Sequence, residues 1–148
     1  MHSLKKNLIA FIIINSLCLA LNNTFTYGQS LKDAIRLTDN EQFEKASTIL
    51  KNLIKSDPQN GDNYFYLGEN YLKSDNLDSA KTLYQQGRDV NASNPINYVG
   101  LGKVQWYQDQ AVDAKANFYK AVTLSQSKNA TVLLKIAEAY IQIGRAHV

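Results

Sequence analysis

The side chains that could do chemistry are few and poorly placed for it. The one cysteine is Cys18, and the two histidines, His2 and His147, stand almost at the two ends of the 148-residue chain. A thiolate zinc site, a disulfide framework and a Cys–His or Ser–His nucleophilic pair each need more of these residues than the chain holds. Asp75 with Asp78, and Asp109 with Asp113, are close enough in sequence for paired acid–base work. They sit at turns and helix starts, however, where capping and the helix dipole account for carboxylates. Gly100-x-Gly102-Lys103 has the composition of a phosphate loop without its spacing, and it falls inside a helical pattern rather than after a strand. The expectation is a protein with no catalytic residue, no metal and no cofactor, and not an enzyme.

Composition agrees with a binding role. Apolar residues make up 45% and charged residues 20%, which is neither a disordered chain nor a polytopic membrane protein. Sixteen Lys and Arg against thirteen Asp and Glu give +3. Lys5 and Lys6 belong to an N-terminal leader with no acid in it, and setting them aside leaves 14 bases to 13 acids, a net +1. No basic face for nucleic acid follows from that balance. Met1 to about Gly28 reads as a secretory signal peptide. Lys5 and Lys6 form its positive start, and Leu8 to Leu21 is an almost unbroken apolar run of 14 residues. A spanning helix needs roughly 20 apolar residues, so this run suits a signal core instead. An uncleaved anchor would have to extend through Asn22 and Asn23. Cys18 follows Leu17, where a lipoprotein signal wants a small residue. Thr26-Tyr27-Gly28 places cleavage before Gln29, so the membrane is met only through the leader during export.

The elements that must carry any binding surface are set by a repeat. Ala46, Ala80 and Ala114 fall 34 residues apart. Twelve residues before each stands a small residue, Ala34, Gly68 or Gly102, and four after each a large apolar one, Leu50, Tyr84 or Phe118. Three residues further on come Leu53, Gly87 and Ala121. Tyr64-x-x-Leu67-Gly68-x-x-Tyr71 and Tyr98-x-x-Leu101-Gly102-x-x-Gln105 share a phrase, and Leu133-x-x-Ile136-Ala137-x-x-Tyr140 repeats it one residue out of step. Phe43, Ala46, Ile49, Leu50, Leu53 and Ile54 form one helical stripe over Gln42 to Lys55. Asp57-Pro58 ends that helix. Asn60 or Asp62 caps the next, which runs to about Lys73. Asn94 caps and Pro95 opens the helix after it. Asp39-Asn40, Asp75-Asn76 and Asp109-Gln110 mark the turns inside the repeats.

These recurring positions resemble the tetratricopeptide repeat, a 34-residue helix–turn–helix unit. The resemblance covers about Leu31 to Gly144. It implies an all-α, right-handed superhelical solenoid, with residues 1–28 as leader and 29–148 as the array. The repeats are approximately 29–60, 61–94 and 95–128, with a partial one at 129–148. Tyr64, Tyr71, Tyr84, Tyr98, Phe118 and Tyr140 fall on signature positions and are expected in the core.

In such arrays the first helix of each repeat lines a concave groove that takes a partner peptide or protein. The matching positions are Phe65, Glu69, Leu72 and Lys73 in the second repeat, and Val99, Lys103, Trp106 and Tyr107 in the third. The partial repeat adds Leu134, Glu138 and Ile141. Trp106 admits two placements, in the groove or buried against the next repeat. Leu31 and Ile35 stand where one subclass places Lys and Asn to clamp a chaperone tail, so that mode is not expected. Nor is a nucleic acid or a small-molecule substrate. The leader and the Lys/Asn/Ile-rich composition suit the periplasm or cell envelope of a Gram-negative bacterium, or secretion. Gly144 is expected to open a turn after a first helix. Its partner would then lie beyond Val148, unless the lone helix is itself a cap. On the first of these views the array could be the accessory N-terminal region of a larger secreted or envelope enzyme.

Overall fold

The computed structural model describes residues 30–146. The leader reading at Met1 to Gly28 lies outside the described residues. Seven helices and no strand make up the described part: α1 (30–39), α2 (Phe43–Ser56), α3 (Gly61–Lys73), α4 (Leu77–Val90), α5 (Ile96–Tyr107), α6 (Ala111–Leu124) and α7 (Ala130–Ala146). The helix ends have local causes. Asp57 closes α2 in front of Pro58, and the Asn60 side chain accepts the N–H of Asp62 to start α3. Asn94 Oδ1 accepts the N–H of Ile96 at 3.1 Å, which caps α5 behind Pro95.

The turn inside each hairpin repeats to the residue. Glu41, Asp75 and Asp109 are left-handed, with φ of 58°, 60° and 59°. Behind them the N–H groups of Gln42, Asn76 and Gln110 donate to the carbonyls of Leu37, Tyr71 and Gln105, each at 2.8 Å. This is the Schellman pattern that satisfies the last carbonyls of a helix. The first turn is therefore centred on Glu41, two residues later than Asp39-Asn40. The 34-residue spacing from Asp75 overrides the likeness of the Asp-Asn pairs.

Three apolar clusters form the core, and each joins neighbouring repeats. Leu67 of α3 packs with Ala34, Ala46 and Leu50. Ile96, Leu101 and Val104 of α5 pack with Phe65 and Tyr84. Val132, Ile136 and Ala139 of α7 pack with Val99 and Phe118. No repeat buries its face alone, which is the defining property of a solenoid. Polar links run alongside. Asn70 accepts from Thr38 Oγ1 at 2.8 Å and donates to Ser47 Oγ at 2.9 Å, tying α3 to both helices of the first hairpin.

The small residues leave room for rings. A Cβ on Gly68 or on Gly100 would come within 3.0 Å of the Tyr84 ring, and one on Gly102 would do the same to Phe118. Tyr84 is thus held between α3 and α5, and Gly100 joins the two glycines picked out by the repeat phrase.

In α7 the buried residues are Val132, Ile136 and Ala139, in strict 34-residue register with Tyr98, Gly102 and Gln105. The fourth phrase has not slipped. Leu133 and Tyr140 are exposed, at 39% and 46%, and the Tyr140 ring lies 5.2 Å from that of Phe118. The apparent slip arose because Leu133, in register with the fully buried Val99, looks like a core residue. Nor does Gly144 open a turn: α7 runs through it to Ala146. A single glycine costs a helix only about 1 kcal/mol against alanine, and no proline accompanies it.

Gly100→Ala should destabilise the chain by about 1–3 kcal/mol in urea denaturation, although alanine is the better helix former, because its methyl meets the Tyr84 ring. An alanine at Gly100 that stabilised the protein would show that the ring can move aside.

Candidate peptide-binding groove

The first helices of successive repeats stack one period apart, so a residue and the one 34 positions later become neighbours. Two pairs of opposite charge use this spacing. Lys73 Nζ lies 2.6 Å from Asp39 Oδ1, on a half-exposed rim. Lys103 Nζ donates at 2.8 Å to both carboxylate oxygens of Glu69, and both residues are buried. Tyr84 reaches the same carboxylate from α4, its hydroxyl donating to Glu69 Oε1 at 2.6 Å. Burial drives the Tyr84 hydroxyl pKa well above its ordinary value, and the adjacent Glu69 charge adds to that. The phenol therefore stays protonated and remains a donor. One carboxylate of α3 is thus bound from two further helices, α4 and α5.

Above this floor is a cavity of about 300 Å³ between α1, α3 and α7, lined by Thr38, Asp39, Tyr66, Glu69, Lys135 and Glu138 among others. Lys135 donates to Glu138 at 2.8 Å on the α7 wall. Burial lowers the Lys135 pKa, but its hydrogen bond to Glu138 and the charges of Glu138 and Glu69 outweigh this, and the net shift is upward. A second cavity of about 280 Å³ is lined by Leu72, Asp75, Leu77 and Tyr107. Burial, and then the charge of Glu69, raises the Tyr107 pKa as well.

Comparison with known proteins gives the same architecture. A family model described as tetratricopeptide repeat matches residues 37–101. A translocator chaperone of type III secretion, SycD of Yersinia enterocolitica, superposes with a TM-score of 0.68 at 14% identity, covering 82% of this chain and 90% of that one. The fold is a tetratricopeptide array. PcrH, solved in complex with the chaperone binding region of PopB, matches the array with a TM-score of 0.64 at 17% identity, over 78% of this chain and 93% of its own. In sequence, the formate-dependent nitrite reductase complex subunit NrfG of Escherichia coli O157:H7 is 26% identical over 122 residues, 80% of this chain. The array spans 62% of that subunit's length.

The residues placed in the groove by sequence divide into several groups. Lys73 and Glu138 line the first cavity with Glu69, and Leu72 and Tyr107 line the second. Phe65 and Val99 are fully buried core residues, because the next repeat of the array packs over them. Lys103 is 7% exposed and spent on Glu69, so it supports the groove from below. Trp106 is half-buried and packs against the core shared by α5, α6 and α7. Leu134 and Ile141 are exposed on α7, at 58% and 56%. Thr38, Asp39, Tyr66 and Lys135 also line the first cavity, as does Ile35, which stands where one subclass places a clamping Asn. For Asp39, as for the Glu69–Lys103 pair, a signal existed: opposite charges one period apart. Among the described residues no group of His, Cys, Asp or Glu could hold a metal, and no helix is long and apolar enough to cross a membrane.

Tyr84→Phe keeps the ring between its glycines and removes only the hydrogen bond to a charged group. It should cost about 1.5–3 kcal/mol in chemical denaturation. The raised pKa gives a second readout. Stability from the neutral phenol is fully present below the unfolded value of about pH 10 and is lost as pH rises through the higher folded value. In a spectrophotometric titration Tyr84 should therefore ionise after the exposed tyrosines, and the Phe variant should lack that late step.

Proposed function

We propose that this array is a non-enzymatic scaffold for protein–protein interaction, which receives a segment of a partner protein in the groove between its first helices. The observation that carries the reading is the first cavity, lined from α1, α3 and α7 and faced by the buried Glu69, which Lys103 and Tyr84 hold in place. A surface fixed in advance loses little entropy on binding, so modest contacts suffice. Tyr107, 45% exposed at the rim of the second cavity, is the kind of aromatic that anchors such contacts. PcrH, solved with the chaperone binding region of PopB, lends support by its shared fold.

The Lys5-Lys6 start and the apolar run after it support export, and with it a place in the periplasm or cell envelope. A second reading, an accessory part of a larger envelope enzyme, draws on the reductase-complex subunit among the relatives. In both readings the array binds protein and performs no chemistry itself.

A pull-down from envelope extract with the full chain tests this. Leu72→Ala combined with Tyr107→Ala should reduce the captured partner by about tenfold or more, with helical circular dichroism unchanged. Tyr119→Ala, on an exposed residue of α6 outside both cavities, should leave capture intact. The reverse pattern would move the partner to the outside of the solenoid.

A further inference from the structure

Helix α7 carries two apolar faces. Val132, Ile136 and Ala139 are buried against α5 and α6, while Leu133, Leu134, Ala137, Tyr140 and Ile141 stay exposed. At about 100° per residue the second set forms a continuous stripe roughly 120° wide, as broad as the face a helix normally buries. Between Leu133 and Ile141 the only charged residues are Lys135 and Glu138. They bond each other at 2.8 Å and line the first cavity, off the stripe. In the earlier repeats this face is covered. Phe65 and Val99, two periods and one period before Leu133, are fully buried under the first helix of the next repeat.

We propose that a second copy of this chain covers the stripe, with the two α7 helices antiparallel about a two-fold axis at Ala137.

Symmetry, charge and area select that occupant. The stripe reads the same from either end: two large residues, the small Ala137, then two large residues, at three and four positions on each side. About a two-fold axis at Ala137, Leu133 meets Ile141 of the partner subunit and Leu134 meets Tyr140 of the partner subunit. That is the reciprocity an isologous contact requires, and the central alanine lets the two helices approach closely. Head-to-tail stacking lacks a matching face. A helix docking on the preceding repeat is apolar where α5 carries Leu101 and Val104. Two periods earlier α1 carries Asp33 and Arg36, an ion pair with side chains 37% and 71% exposed. That charged side of α1 cannot bury itself on α7, so the pairing closes as a dimer instead of growing into a filament. Nine residues of helix, about 13 Å, make a contact smaller than the standard interface of about 1,600 Å². The dimer should accordingly dissociate on the order of 10 μM. Because Lys135 and Glu138 lie off the stripe, the first cavity stays open in each copy. A partner with two binding segments would then be held by both grooves at once.

Sedimentation velocity on the full chain, from about 1 to 300 μM, tests this. The protein should pass from monomer to dimer and no further. Ile141→Glu, at a side chain the monomer leaves exposed, should raise the dissociation constant at least about tenfold with helical circular dichroism unchanged. In a Cys18→Ser background, Ala137→Cys should give a disulfide-linked dimer on mild oxidation. Leu133→Cys should not, because antiparallel pairing sets it about 12 Å from its counterpart, beyond the reach of a disulfide. A monomer at every concentration, as when a further segment or a different protein covers α7, overturns the proposal. So does association beyond the dimer, a dimer indifferent to Ile141→Glu, which another surface or the leader would give, or a cross-link at Leu133→Cys in place of Ala137→Cys.

Discussion

The ring of Tyr84 lies between Gly68 of its own repeat and Gly100 of the next, and its hydroxyl ends on the carboxylate of Glu69. That one side chain sets how closely α3, α4 and α5 approach, and much of the array follows from it. A buried phenol must donate, and a buried carboxylate must be neutralised. Lys103 supplies the charge from α5, so the same cluster that spaces the helices also locks two consecutive repeats together. Breaking a buried pair of this kind by removing one partner typically costs about 3–5 kcal/mol, because the other charge is left stranded. The groove floor is consequently part of the fold rather than an addition to it.

The 34-residue period acts as a ruler for polar as well as apolar groups. Asp39 meets Lys73 and Glu69 meets Lys103 at that separation, while Asn97 donates to the carbonyl of Gly61 from 36 residues away at 2.9 Å. The three Schellman turns repeat at the same interval. Apolar contacts alone would allow neighbouring repeats to slide, since hydrophobic attraction is not directional. Directional bonds at a fixed period hold one alignment. The array can then keep two cavities at a constant separation without any disulfide or metal among the described residues.

The helices, the ends of α2 and the starts of α3 and α5, and the three alanine positions were legible in the sequence, because each depends on short-range patterning: a stripe at three and four residues, a capping Asn, a stopping Pro. Tyr64 and Tyr84 are buried as their signature positions imply, whereas Tyr71 and Tyr98 are half-buried and Tyr140 is exposed. Several groove assignments were not legible. Phe65 and Val99 fall on the inner helices, yet the next repeat covers them completely. Lys103 looked like an exposed cation and is a buried one. The α7 phrase looked displaced because Leu133 resembles a core residue by type, while its burial is decided by what packs against it.

By itself, then, the sequence determined the class of fold and its period, both consequences of local propensity and spacing. It also held the charge pairs, since opposite signs 34 residues apart are visible on the page. Only the tertiary structure decided which of those inner residues face solvent. Exposure in a solenoid depends on the neighbouring repeat and on how the array curves, and α7 comes round to share a cavity with α1 and α3. That meeting of the first and last described helices is a property of summed small rotations, which no single repeat encodes.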